Sequence, residues 1–169
     1  MVEGGAPKPA WRAGVVKDFA SSALFERTFQ EGMDLVEETA TYLDGSGRQD
    51  SKLLSRAAAL AYASESMRLT TRLMRIASWL LVQRAVREGD MAPEAALDDS
   101  YRLGVDSGGA APSADGLPMS LTGLLARAEQ LYDRVRHLDN RMYVDPTGEA
   151  APPHPVLAQM ARLKDVFGA

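Results

Sequence analysis

The chain has 169 residues, of which 46% are hydrophobic and 25% are charged, and its formal net charge is −4. These fractions are typical of soluble globular proteins, so a single domain with a real core is expected. The absence of cysteine excludes disulfides, thiolate metal sites and cysteine nucleophiles, and it suits a reducing cytosol. The acidic balance excludes a general attraction to nucleic acid phosphates.

The first 18 residues are interpreted as a flexible N-terminal arm. Met1 to Ala13 is rich in Gly and Pro and lacks the continuous apolar region that a secretory signal needs. The longest apolar run, Ile76 to Val82, is interrupted by Ser78 and is far shorter than the ~20 residues of a membrane-spanning helix. We therefore expect no membrane span and a cytoplasmic location.

A first helix is predicted over residues 21 to 44. Its apolar residues recur every three or four positions, and Ser21 or Ser22 can cap its start. Gly45 and Gly47 provide the turn that ends it.

A long central helix is predicted to run from about Asp50 to Gly89, because no Gly or Pro interrupts this segment. A seam with alternating spacings of four and three residues is expected to pack along the helix; it comprises Leu53, Ala57, Leu60, Ser64, Met67, Thr71, Met74, Ser78, Leu81 and Ala85. A second apolar stripe lies on a neighbouring face of this helix, and together the two stripes cover a wider arc than one partner helix can bury. It predicts a homodimer interface formed by Leu69, Leu73, Ile76 and Leu80.

A short helix is predicted at about residues 92 to 99, followed by a flexible connection at about 100 to 118 that is rich in Gly, Ala, Ser and Pro. A third amphipathic helix starts at Ser120 and stops before Asp145 and Pro146. The predicted fold is all-α, an antiparallel three-helix bundle over residues 19–143 with one long central helix.

Residues 144–169 are interpreted as a proline-rich tail with a short amphipathic segment. The apolar side chains of this segment suit docking into a groove of a partner, and the candidate partner-binding residues are Leu157, Met160, Leu163 and Phe167. A C-terminal helix folded back on the bundle is the alternative, and the sequence does not choose between the two.

The sequence offers no constellation for catalysis. Its glycine-containing stretches lack the order of glycines that holds phosphate groups. His137 and Asp139 are two positions apart on a helix and point in different directions, and His154 lies in the tail. We expect neither enzyme activity nor a metal site nor a cofactor.

Arg68, Arg72 and Arg75 share one face of the central helix and could bind phosphate groups or an acidic partner. The alternative is that they pair with the acidic first helix of the same chain. Phosphate binding would make the protein a nucleic-acid-binding or nucleotide-binding helical regulator, which is the alternative function.

Three stretches carry a resemblance to a known family: FQEGMDLVEETATYLD at residues 29–44, ASESMRLTTRLM at 63–74 and ASWLL at 77–81. They resemble the alphaproteobacterial RcdA family, regulators of CtrA degradation, over about residues 19–91. The resemblance implies a homodimeric three-helix bundle without enzyme activity. It also implies an adaptor at the cell pole that acts with other adaptors to deliver cell-cycle transcription regulators to the AAA+ protease ClpXP through its ClpX subunit.

Overall fold

The computed structural model describes residues 10–105 and 115–143, and within these ranges the secondary structure is entirely helical. The α-helices are α1 (Ala10–Ala20), α2 (Ala23–Asp44), α3 (Ser46–Lys52), α4 (Arg56–Glu88) and α5 (Met119–Tyr143). Two 3-10 turns, Ala95–Leu97 and Asp99–Tyr101, follow α4. The predicted all-α class is confirmed. The predicted short helix at 92–99 is replaced by the two turns.

The three long helices α2, α4 and α5 form the bundle, and side-chain pairs between them establish their directions. Arg87 near the end of α4 pairs with Glu26 near the start of α2, so these helices are antiparallel. Arg127 pairs with Glu38 and Arg134 with Glu31, which makes α5 antiparallel to α2 as well. Helices α4 and α5 are therefore parallel to each other, since each is antiparallel to α2.

The corner between α2 and α4 breaks the long helix that the sequence predicts from Asp50 onward. The hydroxyl of Ser55 accepts a hydrogen bond from the backbone N–H of Ala58 at 3.2 Å and caps a new start of α4. The short helix α3 fills the corner, where Gly47 approaches the Tyr62 hydroxyl so closely that a Cβ would lie 2.6 Å from it. The Tyr42 hydroxyl donates to Asp50 across the corner at 3.0 Å, and burial raises the pKa of Tyr42.

Helix α1 corrects the interpretation of residues 1–18 as a flexible arm. From Ala10 onward this segment is helical, and the side chains of Val16 and Ala20 are fully buried. Phe19 contacts the rings of both Phe25 and Trp79, at centroid distances of 5.7 and 5.9 Å. The glycines and prolines that suggested an arm lie mostly before Ala10, and the following residues supply an apolar face that closes the end of the bundle.

The centre of the bundle depends on a close approach at Gly32 of α2. A Cβ at this position would lie 2.6 Å from Cδ1 of Leu80, whose side chain is fully buried. We expect Gly32→Val to lower the free energy of unfolding by about 2 kcal/mol, because the core must shift to admit the extra atoms.

Urea denaturation provides the test of this expectation, with Gly123→Val as the matched control. Gly123 lies in α5 with no atom within 4 Å of the added Cβ, so only the difference in helix propensity should appear there. Equal changes in the two variants would show that the close approach to Leu80 does not control stability at Gly32.

Candidate interaction surfaces

Helix α4 has an exposed apolar stripe that we call the α4 stripe, made of Leu60, Met67, Met74 and Leu81. These side chains are 69%, 72%, 66% and 51% exposed, although they recur every seven residues like the seam of a packed helix. Leu53, just before α4, is 86% exposed. The sequence predicted that this seam would pack within the bundle; the structure shows that its large side chains lie on the surface.

The α4 stripe is bordered by small side chains that permit another helix to approach closely. Ser64, Thr71 and Ser78 alternate with the Leu and Met positions and are exposed. The order Leu, Met, Met, Leu is the same in both directions along a stripe about 30 Å long. A second α4 laid antiparallel would therefore place each Met opposite the other Met, and each Leu opposite the other Leu.

The four residues predicted as the dimer interface form the interior of the bundle instead. Exposed fractions are 0% for Leu69, 4% for Leu73, 1% for Ile76 and 0% for Leu80. Helices α1, α2 and α5 of the same chain pack against α4 and cover this stripe. These residues cannot contact a second chain in the folded protein, so the argument that based a dimer on them is wrong, and any dimer must use another face.

The arginines that could have formed a phosphate site are each engaged within the chain. Arg68 forms an ion pair with the buried Glu65 at 2.7 Å, and Arg72 is itself buried, with its guanidinium 5.7 Å from the centre of the Tyr132 ring. Arg75 donates to the backbone carbonyl of Val105. These contacts are with α4 itself, with α5 and with the segment after the 3-10 turns.

A buried carboxylate, that of Asp139 on α5, joins α4, α5 and the segment after the 3-10 turns. Its Oδ1 accepts hydrogen bonds from the Trp79 indole N–H at 2.9 Å and from the Leu103 backbone N–H at 3.0 Å. Its Oδ2 forms an ion pair with Arg102 at 3.2 Å. Asp139 is 1% exposed, so this arrangement is structural and does not present the carboxylate to a ligand.

A groove of about 780 Å³ lies between α1, the start of α2 and the end of α5, and we call it the α1/α5 groove. Its apolar lining includes Trp11, Val15 and Leu24, which are 50%, 38% and 49% exposed. Asp18 and Arg141 add one charge of each sign. The sequence analysis missed this groove because it treated residues 1–18 as an arm, although the spacing of Trp11, Val15 and Phe19 is a helical signal.

The remaining sequence-based expectations concern the tail, metal binding and membrane spans. Leu157, Met160, Leu163 and Phe167 lie outside the described residues. Across residues 10–105 and 115–143, no group of three or more His, Asp or Glu side chains is arranged to hold a metal ion. Within the same ranges, no helix combines the length and apolarity needed to span a membrane.

Comparisons with known proteins identify the family. A family model described as "Protein of unknown function (DUF1465)" matches residues 16–167. The crystal structure of RcdA from Caulobacter crescentus CB15 is 64% identical to this chain, with a TM-score of 0.66, and the match covers 76% of this chain and 98% of that one. The chain belongs to the RcdA family. No match was found among curated proteins.

Membership of the RcdA family confirms the resemblance seen in the sequence. That resemblance rested on about residues 19–91, whereas the family match continues through α5 and the tail to residue 167. Both the bundle and the segment with Leu157, Met160, Leu163 and Phe167 therefore belong to the region that defines the RcdA family.

Proposed function

We propose that this RcdA-family chain is a non-enzymatic adaptor that helps to deliver cell-cycle regulators to the ClpXP protease. The observation that carries the proposal is the α4 stripe: one chain completes its own core and still exposes four large apolar side chains along one helix. Large apolar side chains that are aligned and exposed along one helix are a common feature of protein–protein interaction sites. The family relationship to RcdA supports regulated proteolysis as the process.

The first partner in this proposal is a second copy of the chain. Two α4 stripes packed antiparallel form an isologous interface, in which each surface is its own complement. Ser64, Thr71 and Ser78 let the two helix backbones approach, and the Leu and Met side chains fill the space between them. The resulting homodimer presents two bundles and two tails.

The second and third partners are the substrate and the protease. The bundle holds a regulatory protein or another adaptor, and Leu157, Met160, Leu163 and Phe167 of the tail contact ClpX. Tethering of this kind raises the effective concentration of substrate at the protease without requiring any chemistry from the adaptor. The site of action in this proposal is the cytoplasm at the cell pole.

The alternative function, phosphate recognition by Arg68, Arg72 and Arg75, receives no support from the side-chain geometry. A phosphate site needs guanidinium groups that converge on one exposed position. Here Arg68 is paired with Glu65, Arg72 is buried beside Tyr132, and Arg75 binds a backbone carbonyl.

A pull-down from a bacterial lysate tests the proposed function. The full-length protein and a version ending at Pro153 serve as baits at low and high salt. We expect the full-length bait to enrich ClpX at both salt concentrations, because an apolar contact does not depend on counterion release. The shortened bait should lose ClpX if the tail contacts the protease.

Each result of the pull-down has a definite meaning. Retention of ClpX by the shortened bait would assign the protease contact to the bundle. Recovery of nucleic acid alone, falling steeply as salt is raised, would favour the alternative function. Absence of both ClpX and cell-cycle regulators from the full-length bait would overturn the adaptor proposal.

A further inference from the structure

Helix α1 is apolar on two sides, and only one of them is covered by the described residues. Ala13, Val16 and Ala20 face the interior of the bundle and are buried. Trp11 and Val15 face outward into the α1/α5 groove. A helix with apolar surface on both sides is typically covered on both, so something is expected to lie on the outer side.

We propose that the apolar segment Val156–Phe167 of the same chain occupies the α1/α5 groove in the free protein. The first argument is the position of the groove relative to the chain. Helix α5 ends at Tyr143, and its last turns supply Leu138 and Met142 to the lining of the groove. The segment that would dock therefore leaves the described structure beside the groove that would receive it.

Chain length allows the segment to return. Residues 144–155 separate Tyr143 from Val156, and an extended chain of that length reaches about 40 Å. The groove lies within one or two helical turns of Tyr143, so the connection is never stretched. Pro146 lies three residues after Tyr143, and proline is a residue type that interrupts α-helices. A connection this short corresponds to a local concentration of roughly a millimolar, far above that of a separate partner.

The chemistry of the segment matches that of the groove. Leu157, Met160 and Phe167 would share one side of a helix and could pack against Trp11, Val15 and Leu24. The charged residues of the segment, Arg162, Lys164 and Asp165, carry both signs, as do Asp18 and Arg141 at the groove. Neither surface therefore repels the other.

The α1/α5 groove and the α4 stripe are different surfaces and have different occupants in this scheme. The groove is formed by α1, α2 and α5, whereas the stripe belongs to α4 alone. Docking of the tail in its own groove does not require the adaptor function, and it would hold if the chain had another role. Any partner that binds the tail must first displace it from the groove, which would weaken that partner's apparent affinity.

Trp11 provides a direct test, because it lies in the groove and the chain has only one other tryptophan. That residue, Trp79, is 2% exposed, and its contribution to the fluorescence can be measured in Trp11→Phe and subtracted. The test compares acrylamide quenching of Trp11 in the full chain, in Met160→Asp/Phe167→Asp and in Ala158→Asp/Ala161→Asp. The two double variants add the same charge to the same segment, on opposite sides of the expected helix.

We expect the quenching constant of Trp11 to be about two-fold higher in Met160→Asp/Phe167→Asp than in the unmodified chain, because the exposed half of this large ring loses its cover. The Ala158→Asp/Ala161→Asp control should behave like the unmodified chain. Leu24→Asp, which alters the groove and leaves the tail intact, should also raise the constant. An acid in the first turn of α2 is compatible with the helix dipole, so this variant should fold.

Three results would overturn the proposal. Equal quenching in the unmodified chain and in Met160→Asp/Phe167→Asp would show that the tail does not cover Trp11. Equal effects of the two double variants would indicate a response to charge alone. Protection that increases with protein concentration would assign the groove to the tail of a second copy.

Discussion

Asp139→Ala should lower the free energy of unfolding by about 3 kcal/mol, because it removes the acceptor of one buried and one partly buried N–H donor and the carboxylate paired with a partly buried guanidinium. The donors are the indole of Trp79 and the backbone amide of Leu103, and the guanidinium is that of Arg102. Urea denaturation followed by circular dichroism measures the change. Since the backbone N–H of Leu103 loses its acceptor, amide hydrogen exchange at this residue should also become faster.

Two control variants separate the role of Asp139 from simple loss of a charge on α5. Asp133→Ala removes an exposed carboxylate paired with Arg136 on the same helix, and we expect almost no change in stability. Asp139→Asn keeps an oxygen acceptor for the indole and should cost less than Asp139→Ala. If Asp133→Ala and Asp139→Ala were equally destabilising, the buried hydrogen bonds would not explain the effect.

The second large effect concerns association: Met67→Asp/Met74→Asp should weaken the proposed homodimer about a thousand-fold, or about 4 kcal/mol. Each substitution occurs twice in an isologous interface, once in each chain. The substitutions replace apolar contacts with carboxylates that face each other across the two-fold axis. Both positions are exposed in the single chain, at 72% and 66%, so the bundle itself should remain folded. Sedimentation velocity over a range of concentrations measures the change.

The matched control places the same substitutions on another exposed face. Ala126→Asp/Gln130→Asp adds the same charge to exposed positions of α5, away from the α4 stripe, and we expect it to leave the sedimentation coefficient of the assembly unchanged. A stable monomer at micromolar concentration for the unmodified chain would contradict the homodimer. Dissociation by the control alone would place the interface on α5.

Local signals in the sequence were sufficient for the bounds of α2. Ser22 caps α2 by accepting a hydrogen bond from Phe25, and Gly45 ends it. In each case the determining residue lies within a few positions of the helix end. The start of α4 was less predictable, because Ser55 interrupts a segment that contains no Gly or Pro.

Which face of α4 lies inside could not be read from spacing. The stripe with Leu60 and Met67 and the stripe with Leu69 and Leu73 both repeat every three or four residues, so periodicity alone ranks them equally. The choice depends on α1 and α5, which are distant in the sequence. Asp139 illustrates the same limit, because its donor Trp79 is sixty residues away and no local pattern connects them.

The parallel arrangement of α4 and α5 has a consequence for the order in which the protein folds. Helices α2 and α4 are joined by a short corner, so their contacts form at little cost in loop closure. Helix α5 can join them only after the chain has travelled back along the whole bundle, and non-local pairings of this kind are slow to form. Nascent protein would therefore pass through a stage in which α2 and α4 are paired while Leu69, Ile76 and Leu80 still await α5. During that interval the α4 stripe and the part of the inner stripe that α5 covers are both accessible to other chains. Premature association is therefore a greater hazard at this stage than in the finished bundle, where only the α4 stripe is exposed.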